Sequence, residues 1–381
     1  MKLKQQIKKT NLGRILSKIK QSLLNNYKLF TKRKLRKYDG KPLTPEIQYE
    51  IQKILKNMKL FYLHDEKTAQ NLSAGWNGVV NKPENLRFIE NAIPVVLSAN
   101  NSFSPYLAVM LQSLLDYSNP QRKYHFIIFE RDFTDETKKH LQNQVSSFSH
   151  CSIDFVSTTN AFTGIPIIPR KKSHLSLDTF ARLFIPYWLD EYPKVIYCDS
   201  DMLAKADIAG LFDIDIHDYC MGAVLNRSVV NILSNNEYSS LISTAAFSLL
   251  ENWSRYIQAG LLVFDTAKFK NKISYQELFK FAIYYTNRYK KRKNDQDVIS
   301  LLIKDDYFIL PEEWNYIWSR APKDIIPIHE TYPNIKIIHY ITNKKPWLDS
   351  GVEYNAADSF FYINYAKNIP LYNFKNNIQA L

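Results

Sequence analysis

The sequence predicts an α/β protein built on a mixed, mostly parallel central sheet with helices on its faces. Three observations carry that prediction. From Ile93 onward, short apolar runs of strand length alternate with longer segments of helical period. No fixed-period repeat or low-complexity linker divides this stretch, so it reads as one domain. One apolar run, 194–198, leads straight into Asp199-Ser200-Asp201, which puts carboxylates at the carboxyl end of a strand, where open α/β sheets bind ligands.

Each element follows from its own pattern. Residues 93–97 form a continuous apolar run, the mark of a strand buried on both faces, and 106–117 the helix after it. A second strand is predicted at 124–129, a helix at 135–148 and a third strand at 151–157. One helix over 177–189 leads to the fourth strand at 194–198. Strands at 221–225 and 261–264 follow, with a helix-rich insertion between them at about 238–255. A helix at 297–304 and a last strand at 335–340 complete the body. Upstream, 44–63 reads as helix, and 71–81, with Gly75 and Gly78, as a loop.

Composition sets the outer limits. Of 381 residues 45% are apolar and 14% aromatic, enough for a sizeable core and incompatible with a wholly disordered chain. No apolar stretch approaches the ~18 residues of a membrane span. The N-terminal residues lack a secretory apolar core, and Cys151, Cys198 and Cys220 form no CxxC pair. A cytoplasmic protein is expected. Charge is unevenly distributed: residues 1–38 hold thirteen Lys and Arg and no acid, which leaves 37 basic and 37 acidic residues for the rest. Within this arm Leu12, Ile15, Leu16, Ile19, Leu23, Tyr27 and Phe30 recur at helical spacing. An amphipathic basic helix of this kind suits an anionic membrane surface; packing on the body and nucleic-acid contact are the other readings, and no nucleic-acid partner is expected of the neutral body. The divisions expected are the arm 1–38, a helical and loop lead-in 39–90, the main domain 91–350 and an aromatic tail 351–381. Core packing is the first reading of that tail, and of Tyr187, Trp188, Trp314 and Trp318, with sugar or membrane contact as the second.

Three clusters carry chemistry. Asp199 and Asp201 fall on one strand face, and with a slight turn both reach one hard cation, Mg²⁺ or Mn²⁺; a solvated acidic turn is the plain alternative. Asn294-Asp295-Gln296-Asp297 opens a helix, and N-capping explains one of its acids but not the amide between two of them. His339, at a strand end, is followed six residues later by Lys345; an imidazole completes a metal shell and a lysine holds phosphate oxygens. No P-loop, HExxH or glycine-rich phosphate loop is present, which disfavours P-loop nucleotidases, zinc proteases and sugar-nucleotide pyrophosphorylases.

In order, Ser98-Ala99-Asn100-Asn101, the run from His174 to Arg182, Tyr197-Cys198-Asp199-Ser200-Asp201, Gln258-Ala259-Gly260, Asp295-Gln296-Asp297, and His339 with Lys345-Pro346-Trp347 resemble the family 8 glycosyltransferases over about 91–350. The resemblance implies a GT-A fold, a UDP-hexose donor and Mn²⁺, with Mg²⁺ as substitute. It implies Asp199, Asp201 and His339 as metal ligands. Donor contacts are implied for Ala99, Asn100, Ser102, His174, Arg182, Asp199, Ser200, Gln258, Ala259, Gly260, Thr342 and Lys345. Gln296 and Asp295 come to lie beside the anomeric carbon. Asn100, Gln258 and Thr342 stand where the family commonly has Asp, Asn and Gly. Gln296 is a poor nucleophile, which favours a short-lived oxocarbenium ion over a two-carboxylate glycosidase scheme. The function expected is retaining, metal-dependent transfer of galactose or glucose to a glycan or glycolipid at the membrane, such as lipopolysaccharide core. A non-enzymatic membrane-associated protein of the same fold, or a transferase using another nucleotide sugar, is the alternative.

Overall fold

A computed structural model describes Ser22 and residues 28–57, 66–78, 82–83, 86–158, 165–166, 177–243, 252–289, 295–318, 333–341, 345–352 and 355–375. Strands β1 (Ala92–Asn100), β2 (Lys123–Arg131), β3 (Cys151–Ser157), β4 (Lys194–Asp199), β5 (Met202–Ala204), β6 (Met221–Leu225), β7 (Ile257–Asp265), β8 (Phe308–Ile309), β9 (Tyr316–Ile317) and β10 (Ile337–His339) make two sheets. The larger has the order β3-β2-β1-β4-β7-β6-β8 and the smaller β5-β10-β9. In the larger sheet only β7 runs against its neighbours, so the sheet is mixed and mostly parallel.

Both faces of the large sheet are covered, which is why its strands read as unbroken apolar runs. Alternation along β1 sends Val95 and Leu97 to one core and Val96 to the other. The first core gathers the helices Ser104–Asp116 and Asp135–Ser146 through Leu107, Leu111, Leu141 and Val145. The second gathers Phe184, Trp188 and the helix Tyr275–Arg288 through Leu278 and Phe279. Each such helix has a visible start. Thr134 caps the one from Asp135, and Ser274 with Glu277 closes a capping box on the one from Tyr275.

Several expectations need correction. The helix predicted over 177–189 is a 3₁₀ run, Leu177–Phe184, followed by a single α-turn, Ile185–Trp188, because Pro186 supplies no N–H to continue the earlier ladder. The loop predicted at 71–81 is helical as far as Gly75, within Glu66–Gly75, where Ala69 is buried and Trp76 packs on Tyr275 and Phe279. The last strand shortens to β10 because its partner β5 offers three residues. In the insertion at 238–255 the described residues form 3₁₀ turns. The helix predicted from 44 is seen as Pro45–Asn57, while 58–63 lie outside the described residues. His174, Thr342, Asn294 and, Ser22 apart, the arm before residue 28 also lie outside them.

Candidate active site

The order of the sheet reverses at β1: β2 and β3 lie to one side and β4 to the other. Clefts open at such a switch point, at the carboxyl ends of the strands. Ser98 pairs in register with Asp199 across it. The Ser200 hydroxyl donates to Ser98 O at 2.8 Å, which pins the acidic step to the end of β1. The side chain implied as a donor contact at Ser200 is therefore buried and engaged within the protein.

His339 reaches this place through the small sheet. β10 runs antiparallel to β5, pairing His339 with Met202, and Tyr340 N–H donates to Asp201 O at 2.9 Å. His339 Nε2 then lies 3.2 Å from Asp201 Oδ1 and 3.7 Å from Asp199 Oδ2. The ligand atoms of the three residues all lie within 4.8 Å of one another. The buried Asn315 faces His339 Nδ1 with Oδ1 at 2.8 Å. An amide oxygen only accepts, so His339 donates from Nδ1 in this contact, which fixes the ring with Nε2 facing the two carboxylates. Three electron-pair donors facing one point, two oxygens and one nitrogen, form a set that suits a divalent cation such as Mn²⁺ or Mg²⁺.

Gly260 on β7 makes the approach feasible. A Cβ built there would overlap His339 Cε1 and stand 2.9 Å from both His339 Nδ1 and Asp199 Oδ2, so a hydrogen is the largest group tolerated. Its role is close approach rather than a direct donor contact.

Charge is balanced by a part-buried lysine and a buried arginine. Lys345 Nζ bonds Asp201 Oδ2 and Tyr340 O. Burial disfavours the Asp201 charge, but Lys345 and His339 outweigh it and hold the carboxyl well below the usual range. Arg182 sits over the Tyr197 ring at 4.5 Å and reaches Asp199 Oδ1 at 3.0 Å, Asp295 Oδ2 at 2.8 Å and Ala259 O. Burial opposes its charge, while Asp199 and Asp295 raise its pKa further. Asp295 is itself pushed up to about 6 by burial, against the pull of Arg182.

Gln296 is held at both ends of its amide. Oε1 accepts from Ala259 N–H at 3.1 Å, and Nε2 donates to Tyr256 OH at 3.0 Å. Tyr256 OH in turn donates to Asp297 Oδ1 at 2.5 Å, and Tyr285 OH to Asp297 Oδ2 at 2.9 Å. Gln258 Oε1 accepts from Gly260 N–H at 3.0 Å, so its amide oxygen is turned back on β7. Ala259 thus serves through its backbone, joining Arg182 to Gln296. Asn100 Oδ1 accepts from Ser102 Oγ at 2.8 Å and Phe103 N–H at 3.0 Å, capping a 3₁₀ turn. Both lone pairs of that oxygen are engaged, so the group Asn100 offers a ligand is its Nδ2 donor. Ala99 is buried beside it.

The structure therefore brings together Asp199, Asp201, His339, Lys345, Arg182, Asp295, Gln296, Ala259 and Gly260, with Asn100 and Ser102 at the end of the neighbouring strand. Trp188, Trp314 and Trp318 are buried in the cores, and Tyr187 OH donates to Ile273 O. Sequence reasoning missed Asn315, Tyr256 and the burial of Asp297, and gave Tyr197 no role of its own. Only the acid in the Asp295-Gln296-Asp297 triplet left a signal.

Comparison with known proteins follows the same lines. The family model for glycosyl transferase family 8 matches residues 94–351. A putative glycosyltransferase of Haemophilus influenzae is 25% identical over 258 residues, 66% of this chain and 72% of that protein. The lipopolysaccharide glucosyltransferase WaaO of Escherichia coli is 21% identical over 294 residues, 74% and 81% of the two chains. A crystal structure of the galactosyltransferase LgtC with donor and acceptor sugar analogs has a TM-score of 0.56 at 20% identity, covering 73% of this chain and 96% of that one. The fold is thus GT-A-like. With more than half of its length matched by the family model, the chain belongs to glycosyl transferase family 8 and is a hexosyltransferase.

Proposed function

We propose that the protein transfers glucose or galactose from a UDP-sugar to a hydroxyl of a membrane-associated glycan such as lipopolysaccharide core, with retention at the anomeric carbon. The observation that carries the reading is the convergence of Asp199, Asp201 and His339 at the switch point of the sheet. These three residues would hold Mn²⁺ or Mg²⁺. The cation supplies charge stabilisation to the diphosphate as it leaves. Lys345 adds a fixed positive charge beside it, and His174 is assigned to the same diphosphate on the family resemblance. Thr342 is assigned to the donor on that ground too.

Arg182 and Asp295 form a buried pair that suits the hydroxyls of the donor sugar. Gln296, with its amide held by Ala259 and Tyr256, stands where a developing oxocarbenium charge is eased by a carbonyl dipole without forming a bond. An acceptor hydroxyl attacks from the side the diphosphate leaves, and a diphosphate oxygen takes its proton. The lipopolysaccharide acceptor is supported by the likeness to the lipopolysaccharide glucosyltransferase WaaO, and the membrane by the basic arm. Divisions at 1–38, 39–90, 91–350 and 351–381 remain the proposed domain plan.

The test is incubation with Mn²⁺ and a panel of UDP, GDP, CMP and dTDP sugars, scoring free nucleotide. Slow release from a UDP-hexose alone, abolished by chelation, is expected. Release from another nucleotide, or from none, contradicts the reading.

A further inference from the structure

The helix over 28–36 turns one side into the body and keeps another side partly exposed. Thr31 and Leu35 are buried, and Leu35 packs with Tyr38, Ile51 and Leu55 in the second core. On another side Leu29 is 60% exposed and Phe30 51% exposed. At 3.6 residues per turn Phe30 lies about 100° round the helix from Thr31 and about 140° from Leu35. Arg33, Lys34, Arg36 and Lys37 are exposed as well, and Lys34 Nζ stands 4.5 Å from the centre of the Phe30 ring.

The foot of this helix is fastened to the body. Gly40 N–H donates to Asn236 O at 2.9 Å, Ser239 N–H to Asp39 Oδ1 at 2.8 Å, and Tyr238 OH to Lys41 O at 2.8 Å. Tyr238 is buried. The segment that receives these bonds follows the helix Arg227–Ser234, which leaves the sheet at Leu225. Because β6 and β4 both run against β7, Leu225 ends at the same edge of the sheet as Asp199.

We propose that Leu29, Phe30, Arg33, Lys34, Arg36 and Lys37 form a docking surface for an anionic phospholipid bilayer. Charge complementarity selects that occupant: thirteen cations and no acid in residues 1–38, set against a body of zero net charge. The adjacent Leu29 and Phe30 select lipid over nucleic acid, since aliphatic and aromatic side chains side by side enter the acyl boundary while cations flank them at the headgroups. The described helix over 28–36 is not a loose tether. Its fastened foot means that docking fixes the orientation of the body, with the segment nearest the lipid belonging to the edge of the sheet that carries the candidate site.

This inference deepens the membrane part of the function proposed above, and its test separates the two. The full-length protein is floated with phosphatidylcholine vesicles, with and without phosphatidylglycerol, beside a Leu29→Ser/Phe30→Ser variant and an Arg33→Gln/Lys34→Gln variant. The wild type is expected to bind the vesicles containing phosphatidylglycerol, less so at high salt. Each variant should lose about tenfold or more of that binding, with its melting temperature and UDP-sugar hydrolysis unchanged. The inference is overturned if the apolar variant floats as the wild type does, if neutral vesicles bind equally well, or if the protein ignores vesicles and binds RNA through these residues. Absence of UDP-sugar hydrolysis in the wild type would count against the proposed reaction and leave the vesicle result standing.

Discussion

At Gly260 one hydrogen decides whether Asp199, Asp201 and His339 can meet. Any larger group on that carbon drives His339 or Asp199 away, and neither has slack: the imidazole is fixed through Asn315 and the carboxylate through Arg182 and Tyr197. Gly260→Ala should therefore leave the sheet folded and weaken divalent-cation binding by about tenfold to a hundredfold, the scale of losing a group that orients a ligand. Titration of Mn²⁺ by electron paramagnetic resonance reads this directly, and unchanged affinity would mean that the ligands do not converge over Gly260. A second residue-scale prediction concerns Gln296. Asp297 accepts from both Tyr256 and Tyr285, so Tyr256 is left to accept from Gln296 Nε2. Asp297→Asn or Tyr256→Phe should release that amide and lower kcat by about a hundredfold with little change in KM for the donor. Asp297 is buried behind its tyrosines, and a loss confined to KM would argue against the relay.

Among the elements, β2 and β3 carry a partly buried ionic network, joined by the exposed Arg87, away from the candidate site. His125 Nε2 lies 2.9 Å from Asp154 Oδ2, His125 Nδ1 2.7 Å from Tyr192 OH, and Arg87 grips Asp154 with Nε at 2.9 Å from both oxygens. Burial raises the Asp154 pKa, yet His125 and Arg87 outweigh it and the net shift is downward. A depressed carboxyl binds fewer protons folded than unfolded, so its contribution is present near neutral pH and lost as pH falls below about 4. Asp154→Asn should cost about 2 kcal/mol at pH 7 and progressively less in acid, as read by urea unfolding across pH. A penalty that did not vary with pH would assign the effect to packing alone.

Elements also show what the sequence makes legible and why. β3 and β6 were readable to the residue because β3 alternates apolar and polar residues and β6 is a short apolar run, each ended by turn residues. β5 was not, since three residues carry no period, and it exists because β10 pairs with it. The helix Arg227–Ser234 follows a polar cap, Asn226, that resembles any loop asparagine until its carbonyl is seen accepting from Ser228. In the site, acidic and cationic groups at strand ends were readable from residue type. Asn315 was not, because an amide between Trp314 and Tyr316 gives no hint that an imidazole from another strand faces it.

For the whole molecule, the candidate site depends on parts far apart in sequence. Trp347, two residues beyond Lys345, stacks on Tyr106 at 4.0 Å and meets Tyr362 at 5.0 Å, so the helices Ser104–Asp116 and Ala356–Ala366 together hold the loop that carries the lysine. The tail read from sequence as core packing does enter the core through Tyr362, while Phe360 stays exposed. The proposed function rests on one arrangement: a nucleotide diphosphate that would be retained by a cation between Asp199, Asp201 and His339. The most direct measurement is the melting temperature of wild type and Asp201→Asn with saturating UDP, with and without Mn²⁺. Ligand at about a hundred times its dissociation constant adds about 2.7 kcal/mol of stability, a rise of several degrees, expected in the wild type with Mn²⁺ and absent when either the metal or Asp201 is removed. An equal rise without metal, or in the variant, would contradict the account.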